Sequence, residues 1–204
     1  MPRSADQTRK RIVDGAYKLF RRRGYARVTM DDIAAEAKLT KRTLYHHFNS
    51  KDQLLAHVLG IQHQLALRAF RTFGDRLSGS AEAVVEGMFR ELAVWADRPR
   101  WAGSGFTRLV IELADLPGHP ARLIARRHKE RLERCLAELL EQSGVRRAAE
   151  LARTIWLLSE GAISLILVHG DHGYSTAASS AAKTLVRCHL DKYEECQTHG
   201  DTMG

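Results

Sequence analysis

Residues 28–55 read VTMDDIAAEAKLTKRTLYHHFNSKDQLL, and nearly every position there has a local structural task. Thr29 followed three residues later by Asp32 is a helix-start pair, the hydroxyl answering a free backbone N–H of the first turn. A helix is therefore expected from about Met30. Ile33, Ala34 and Ala37 form a narrow apolar stripe whose small members let another helix approach closely. Lys38-Leu39 is the turn. Thr40 is a second N-cap, opening a short helix in which Leu44 and Phe48 face inward and Lys41, Arg42, Thr43, Tyr45, His46 and His47 occupy the other faces. Asn49-Ser50 ends it, and Ser50 with Gln53 makes a third capping pair that starts the next helix. Two short helices joined by a tight turn, the second rimmed with hydrogen-bond donors, fit the major groove of DNA.

Charge supports that reading. The net charge is +8 over 204 residues; residues 1–60 hold 13 Lys/Arg against 6 Asp/Glu, leaving 19 against 18 for the remainder. A surplus confined to one module suits phosphate neutralisation with counterion release, whereas a charge serving solubility would be spread over the surface. With 44% hydrophobic and 27% charged residues the composition is that of an ordinary globular protein and excludes disordered and fibrous classes.

In these residues the chain resembles the tetracycline-repressor (TetR) family of bacterial transcription regulators. The resemblance continues upstream through Thr8, Arg9, Arg11, Ile12, Val13, Ala16, Leu19, Phe20 and the pair Gly24-Tyr25, and downstream through Thr43, Leu44, Tyr45, Phe48, Ser50, Lys51 and Leu54. It covers roughly the first quarter of the chain closely. One departure is Lys38, where the family usually has Gly to satisfy a turn with φ above zero. The turn geometry is thus the open question of this segment.

Roles within the second helix follow from donor chemistry. Arg42 can bond guanine O6 and N7 bidentately, Lys41 more loosely, and Thr40 and Thr43 can offer a hydroxyl or methyl contact. Thr29, Tyr45, His46 and Lys51 are expected to hold phosphates, Lys51 adding its charge to the free N–H groups that begin the next helix. The resemblance implies backbone contacts for the tyrosine and lysine at these positions.

The rest of the chain reads as helical: only four prolines occur and no stretch alternates long enough to suggest a strand. Patterns run over about 51–73, 81–96, 106–114, 121–142, 147–169 and 176–193, punctuated by Gly74, Ser78-Gly79, Pro99, Gly103, Gly105, residues 116–120, Ser143-Gly144 and Gly170 to Gly173. An all-α fold of about nine helices is expected, with a DNA-binding domain over 1–50 and an effector-binding and dimerisation bundle over 51–204. Small residues of 177–182 and apolar ones before them suggest a four-helix interface between two copies, built by Ile163, Ile166, Leu167, Ala178, Ala182 and Leu185. The competing account is that these faces complete the core of one chain. In TetR-like proteins the last two long helices make the homodimer.

Aromatic residues gather in the middle helices. Core packing accounts for most, while the resemblance implies an effector pocket there, for which His63, Phe89, Trp101, Phe106 and Trp156 are candidates and an apolar or aromatic small molecule the expected ligand. Glycines 103 and 105 would suit a mobile wall. Glu160 with Trp156 and His169 could form a polar cluster, or be satisfied within a core or interface.

Several functions are not expected. Cys135, Cys188 and Cys196 are odd in number and form no Cys-x-x-Cys pair, so neither a disulfide framework nor a zinc site is suggested. His57 and His63 stand six apart rather than four, so no metal is expected, and no cofactor. No nucleophile elbow, Gly-rich phosphate loop or His-Glu-x-x-His stands in the chain, so it is not read as an enzyme. The most apolar run, 155–168, is short and interrupted by Glu160, and no signal-type segment opens the sequence; no membrane partner and a bacterial cytoplasmic location are expected. The function expected is a homodimeric repressor of a palindromic double-stranded operator, released by a small molecule. The alternative is a helical ligand-binding protein or enzyme without DNA binding.

Overall fold

The computed structural model describes residues 5–76 and 79–198. Among the described residues there are nine helices and no strands: α1 (Ala5–Arg23), α2 (Met30–Glu36), α3 (Lys41–His47), α4 (Lys51–Arg76), α5 (Ala81–Ala96), α6 (Gly105–Glu112), α7 (Pro120–Gln142), α8 (Ala148–His169) and α9 (Gly173–Thr198). The all-α expectation is met, and the start of α5 and the ends of α7 and α8 fall where caps and glycines placed them. Ser80 caps α5 by accepting from Ala83 N, and Gly170 ends α8 with φ +68.

Packing divides the chain into two compact units, Met1–Ala66 with Ser104–His128 and Leu67–Gly103 with Lys129–Gly204. Helices α4 and α7 contribute to both. In the first unit Ile12, Ala16 and Leu19 of α1, Val28, Ile33, Ala34 and Ala37 around α2, Leu44 and Phe48 around α3, and Leu54 and Val58 of α4 form one apolar cluster. Phe48, Ile12, Ile33, Leu44 and Leu54 are among the largest side chains fully out of water, each contributing about 1.5–3 kcal/mol of transfer free energy. A second cluster joins Tyr25, Leu55 and Leu59 to Phe106, Leu109, Leu113, Ala121 and Ala125.

The second unit is built on α5, α8 and α9, with Val84, Phe89, Leu136, Leu151, Ile155, Ala182 and Val186 in its core. Three sequence expectations are corrected here. Gly74 does not end α4; it lies inside the helix, where an added Cβ would stand 2.9 Å from Leu139 Cδ2, so the missing side chain serves close packing. The tail of that break, Ser78, lies outside the described residues.

The second correction concerns the interface. Ile166, Ala178 and Ala182 are buried within a single chain, Ala182 fully, so the small-residue face completes the core. Ile163 and Leu185 are partly buried against that same core, and only Leu167 of the expected set is well exposed. The exposed side of α8 and α9 lies a step further round: Leu157, Leu165 and Val168 on one, Ala177, Ala181, Thr184 and Cys188 on the other.

The third is the extent of the apolar stretch in α8, a helix whose bounds agree with the pattern read over 147–169. It runs 22 residues and is long and apolar enough to cross a membrane by composition, beyond the 155–168 run. It also seats Leu151, Ile155, Ala162 and Ile166 in the core and carries Glu160, which accepts from Lys129.

Candidate nucleic-acid interface

The start of α2 is a reciprocal cap. Thr29 Oγ1 accepts from Asp32 N at 3.1 Å, and Asp32 Oδ2 accepts from Thr29 N at 2.8 Å. Those bonds, the Thr29 hydroxyl and Arg23 hold the Asp32 carboxyl at about 2, below its ordinary 3.8. Thr29 is thus engaged in capping and remains exposed.

The turn adopts the geometry that glycine would favour, with a lysine in place. Lys38 has φ +53. Its N–H donates to Ala35 O at 3.0 Å and that of Leu39 to Ala34 O at 2.9 Å, the bond pair of a Schellman helix end. Leu39 packs against the apolar cluster beneath.

Thr40 caps α3 by accepting from Thr43 N at 3.2 Å, and the two threonine hydroxyls lie 2.8 Å apart. Leu44 and Phe48 lock the inner side of α3 into the core, Arg9 standing 4.5 Å over the Phe48 ring. Outward stand Lys41, Arg42, Tyr45 and His46, all exposed. Among the described residues Arg42 makes no ion pair or side-chain hydrogen bond, so its guanidinium is available. Lys41 instead pairs with Asp31 at 2.9 Å, which raises its pKa, so a base contact by Lys41 must first exchange that partner.

Lys51 differs most from its expected part. Its ammonium donates to Tyr25 O at 3.1 Å and Val28 O at 3.0 Å and sits 4.2 Å over the Tyr25 ring. It therefore fastens the 25–28 loop to the start of α4. Gln53 N donates to Ser50 Oγ at 3.1 Å, and Gln53 Oε1 accepts from Asn49 N, one residue earlier than a standard capping box. Tyr25 OH donates to Asp52, and burial, with the carboxylate second, pushes the phenol pKa up. His119 accepts from Ala121 N through Nδ1 and faces Asp52 with Nε2 at 3.6 Å.

Two further side chains of this unit reach the end of α1 and the loop that follows it, and no local pattern announced them. Glu112 of α6 accepts from Ala26 N at 3.1 Å, and Arg108 donates to Arg21 O at 3.2 Å. Gly24 has φ +81, which favours glycine, and a Cβ there would stand 2.8 Å from Glu112 Oε1, so a side chain at 24 would also displace that carboxylate.

The five effector candidates fall into separate units. In the first, His63 and His128 face each other through Nδ1 at 2.9 Å and Phe106 stacks on His128 at 3.7 Å. In the second, Phe89 is core, 1% exposed, and Trp101 stands edge-on to Trp95. Trp156 packs against a cluster of Leu67, Leu132 and Cys135, with Lys129 over its ring at 5.8 Å. The indole N–H groups of Trp101 and Trp156 are buried without a hydrogen-bond partner among the described residues. Glu160 is answered by Lys129, while His169 stacks on Tyr174 instead of joining it. Glycine 103 has φ +71 and Gly105 opens α6 behind the Ser104 cap, so both shape a helix start.

The family profile described as bacterial regulatory proteins, tetR family, matches residues 12–58, from the core of α1 into α4. The structure is similar to the crystal structure of a TetR-family transcriptional regulator from Streptomyces coelicolor, with a TM-score of 0.80 and 27% identity over 90% of this chain and 96% of that one. Residues 12–58 of the chain are a TetR-family N-terminal module. Among curated TetR-type relatives, the HTH-type transcriptional regulator SrpR of Pseudomonas putida is 40% identical over 85 residues, 41% of this chain and 39% of SrpR. The uncharacterized HTH-type transcriptional regulator TtgW, also of Pseudomonas putida, is 40% identical over 85 residues, 41% of this chain and 62% of TtgW. The matched stretch thus spans less than two thirds of either relative. These relatives and structural neighbours are transcriptional regulators rather than enzymes, and the helix-turn-helix within residues 12–58 is a DNA-binding module of the tetR type.

Proposed function

We propose that this chain is a TetR-type homodimeric repressor of the bacterial cytoplasm that binds a roughly palindromic operator through α3 and leaves it when a small molecule binds the C-terminal part of the chain. The observation that carries the DNA half is the outward face of α3: Arg42, Tyr45 and His46 stand exposed while Leu44 and Phe48 fix the helix from behind. Arg42 reads a guanine, Thr40, Lys41 and Thr43 make shorter-range base contacts, and Tyr45, His46 and Thr29 hold phosphates. Lys51 acts on the phosphate through the N-terminus of α4 that it helps anchor.

Dimerisation is assigned to the exposed side of α8 and α9, where Leu157 and Val168 are each 70% exposed beside Ala177 and Ala181. An apolar strip of that kind next to a small-residue strip suits a second copy, related by a two-fold axis. The effector is taken to be apolar or aromatic with a hydrogen-bond acceptor, which the buried, unpartnered indole N–H of Trp156 would meet.

The test is a shift assay on duplexes selected from a random pool by the wild-type protein. Arg42→Ala is expected to cost about 1–3 kcal/mol on the selected duplex and to relax preference at one base pair. Unchanged affinity and unchanged base preference would remove Arg42 from the reading surface.

A further inference from the structure

Arg11 lies on α1, 27 residues before the turn lysine whose carbonyl it touches. Its Nη2 donates to Ala37 O and, at 3.2 Å, to Lys38 O, the two carbonyls at the end of α2 that the Schellman bonds leave unanswered. Among the described residues no carboxylate competes for the guanidinium. Those nearby are engaged elsewhere, Asp14 with Lys10 at 2.8 Å and Glu36 with Lys18, and Arg11 Nη1 is buried with no protein partner. A cation at a helix C-terminus also meets the negative end of the helix dipole.

The place of this contact gives it consequence. Lys38 holds a left-handed conformation that a residue with a side chain adopts at a cost, and α3 begins three residues later. The dihedrals of Lys38 set the direction in which α3 leaves α2. We propose that Arg11 is a positioning residue for DNA reading: by binding both turn carbonyls it holds Lys38 left-handed and so fixes the angle of the recognition helix. Arg11 and Lys38 then form a coupled pair, and a glycine at 38 would make the arginine dispensable.

The experiment compares wild type, Arg11→Ala, Lys38→Gly and the double variant on two duplexes of equal length, one selected in vitro by the wild-type protein and one scrambled, at one salt concentration. Arg11→Ala is expected to lower the ratio of selected to scrambled affinity by about tenfold or more, while scrambled binding changes by less than about threefold. In the Lys38→Gly background the same change is expected to lower the ratio by less than about threefold. Amide exchange supplies the structural readout: the Lys38 and Leu39 N–H groups should exchange faster in Arg11→Ala and recover in the double variant.

Equal loss on both duplexes would make Arg11 a phosphate contact and overturn the proposal. So would additive effects of the two substitutions, or an Arg11→Ala variant with wild-type ratio and exchange. If Arg11→Ala alone does not fold, the double variant decides: folding and selectivity restored by Lys38→Gly support the pairing, and failure of both substitutions together refutes it.

Discussion

Asp32 and Thr29 satisfy one another's backbone N–H groups, so the first turn of α2 depends on a carboxylate that must be ionised. Its pKa in the fold is about 2 against an ordinary 3.8, a depression, so the cap's contribution is complete above 3.8 and is lost as pH falls through about 2. Acid melting curves of wild type and Asp32→Asn should therefore differ by a constant above about pH 4 and converge near pH 2. Curves that stay parallel to the lowest pH would mean that Asp32 does not titrate with the cap. Thr29→Ala should lower stability by about 1 kcal/mol, the usual worth of an N-cap. At Lys38 the sign reverses: Lys38→Gly removes a left-handed penalty and should raise stability by up to about 1 kcal/mol, read as a higher melting temperature. The caps and the place of the turn were legible at this scale because each depends on residues within five positions, while the backbone geometry at Lys38 was left open by the sequence. The partners of Arg11, Lys51 and Glu112 were not, since they lie 23 to 86 positions away and no local spacing encodes them.

Helix α9 shows how far periodicity alone reaches. Its run of small residues was visible in the sequence, and close packing follows from it; which neighbour takes advantage of it was not, because Ala178 and Ala182 differ from Ala177 and Ala181 only in azimuth. The fold turns the former pair into the chain's own core and the latter outward. The two substitutions Ala182→Arg and Ala181→Arg should therefore separate. The first forces a long cation into a fully buried position, where overpacking and an unpaired charge together should cost several kcal/mol, about the size that unfolds a marginal domain. The second sits at an exposed site and should leave the monomer's melting temperature nearly unchanged while weakening self-association. Sedimentation and thermal melting on both variants decide the matter. If Ala181→Arg remains as associated as wild type, the interface lies elsewhere on the chain. Gly74 carries a similar lesson: a glycine in a helical pattern reads as a stop until a neighbour such as Leu139 is known to need its space.

For the whole molecule, a regulator that releases DNA on binding a ligand needs a ligand whose affinity differs between two states, and linkage makes the effect reciprocal, with coupling of about 1–3 kcal/mol. The first compact unit contains both the reading head and residues 104–128, so α6 is packed with the very segment that delivers α2 and α3. Two side chains of α6 reach that segment: Arg108 at Arg21 O and Glu112 at Ala26 N, the latter a residue away from the Tyr25 carbonyl that Lys51 also grips. A shift of α6 reaches the end of α1 through Arg108 and the 24–28 loop through Glu112 and the apolar cluster that Tyr25 shares with Phe106, Leu109 and Leu113. Glu112→Ala should accordingly leave operator binding and ligand binding each close to wild type and reduce the factor by which one weakens the other. Calorimetric titration of apolar aromatic ligands with and without operator duplex measures that factor for both proteins. A wild-type protein with equal ligand affinity in the two conditions would be a DNA-binding protein without this switch. A Glu112→Ala protein with undiminished coupling would keep the switch and take its transmission away from the Glu112–Ala26 bond.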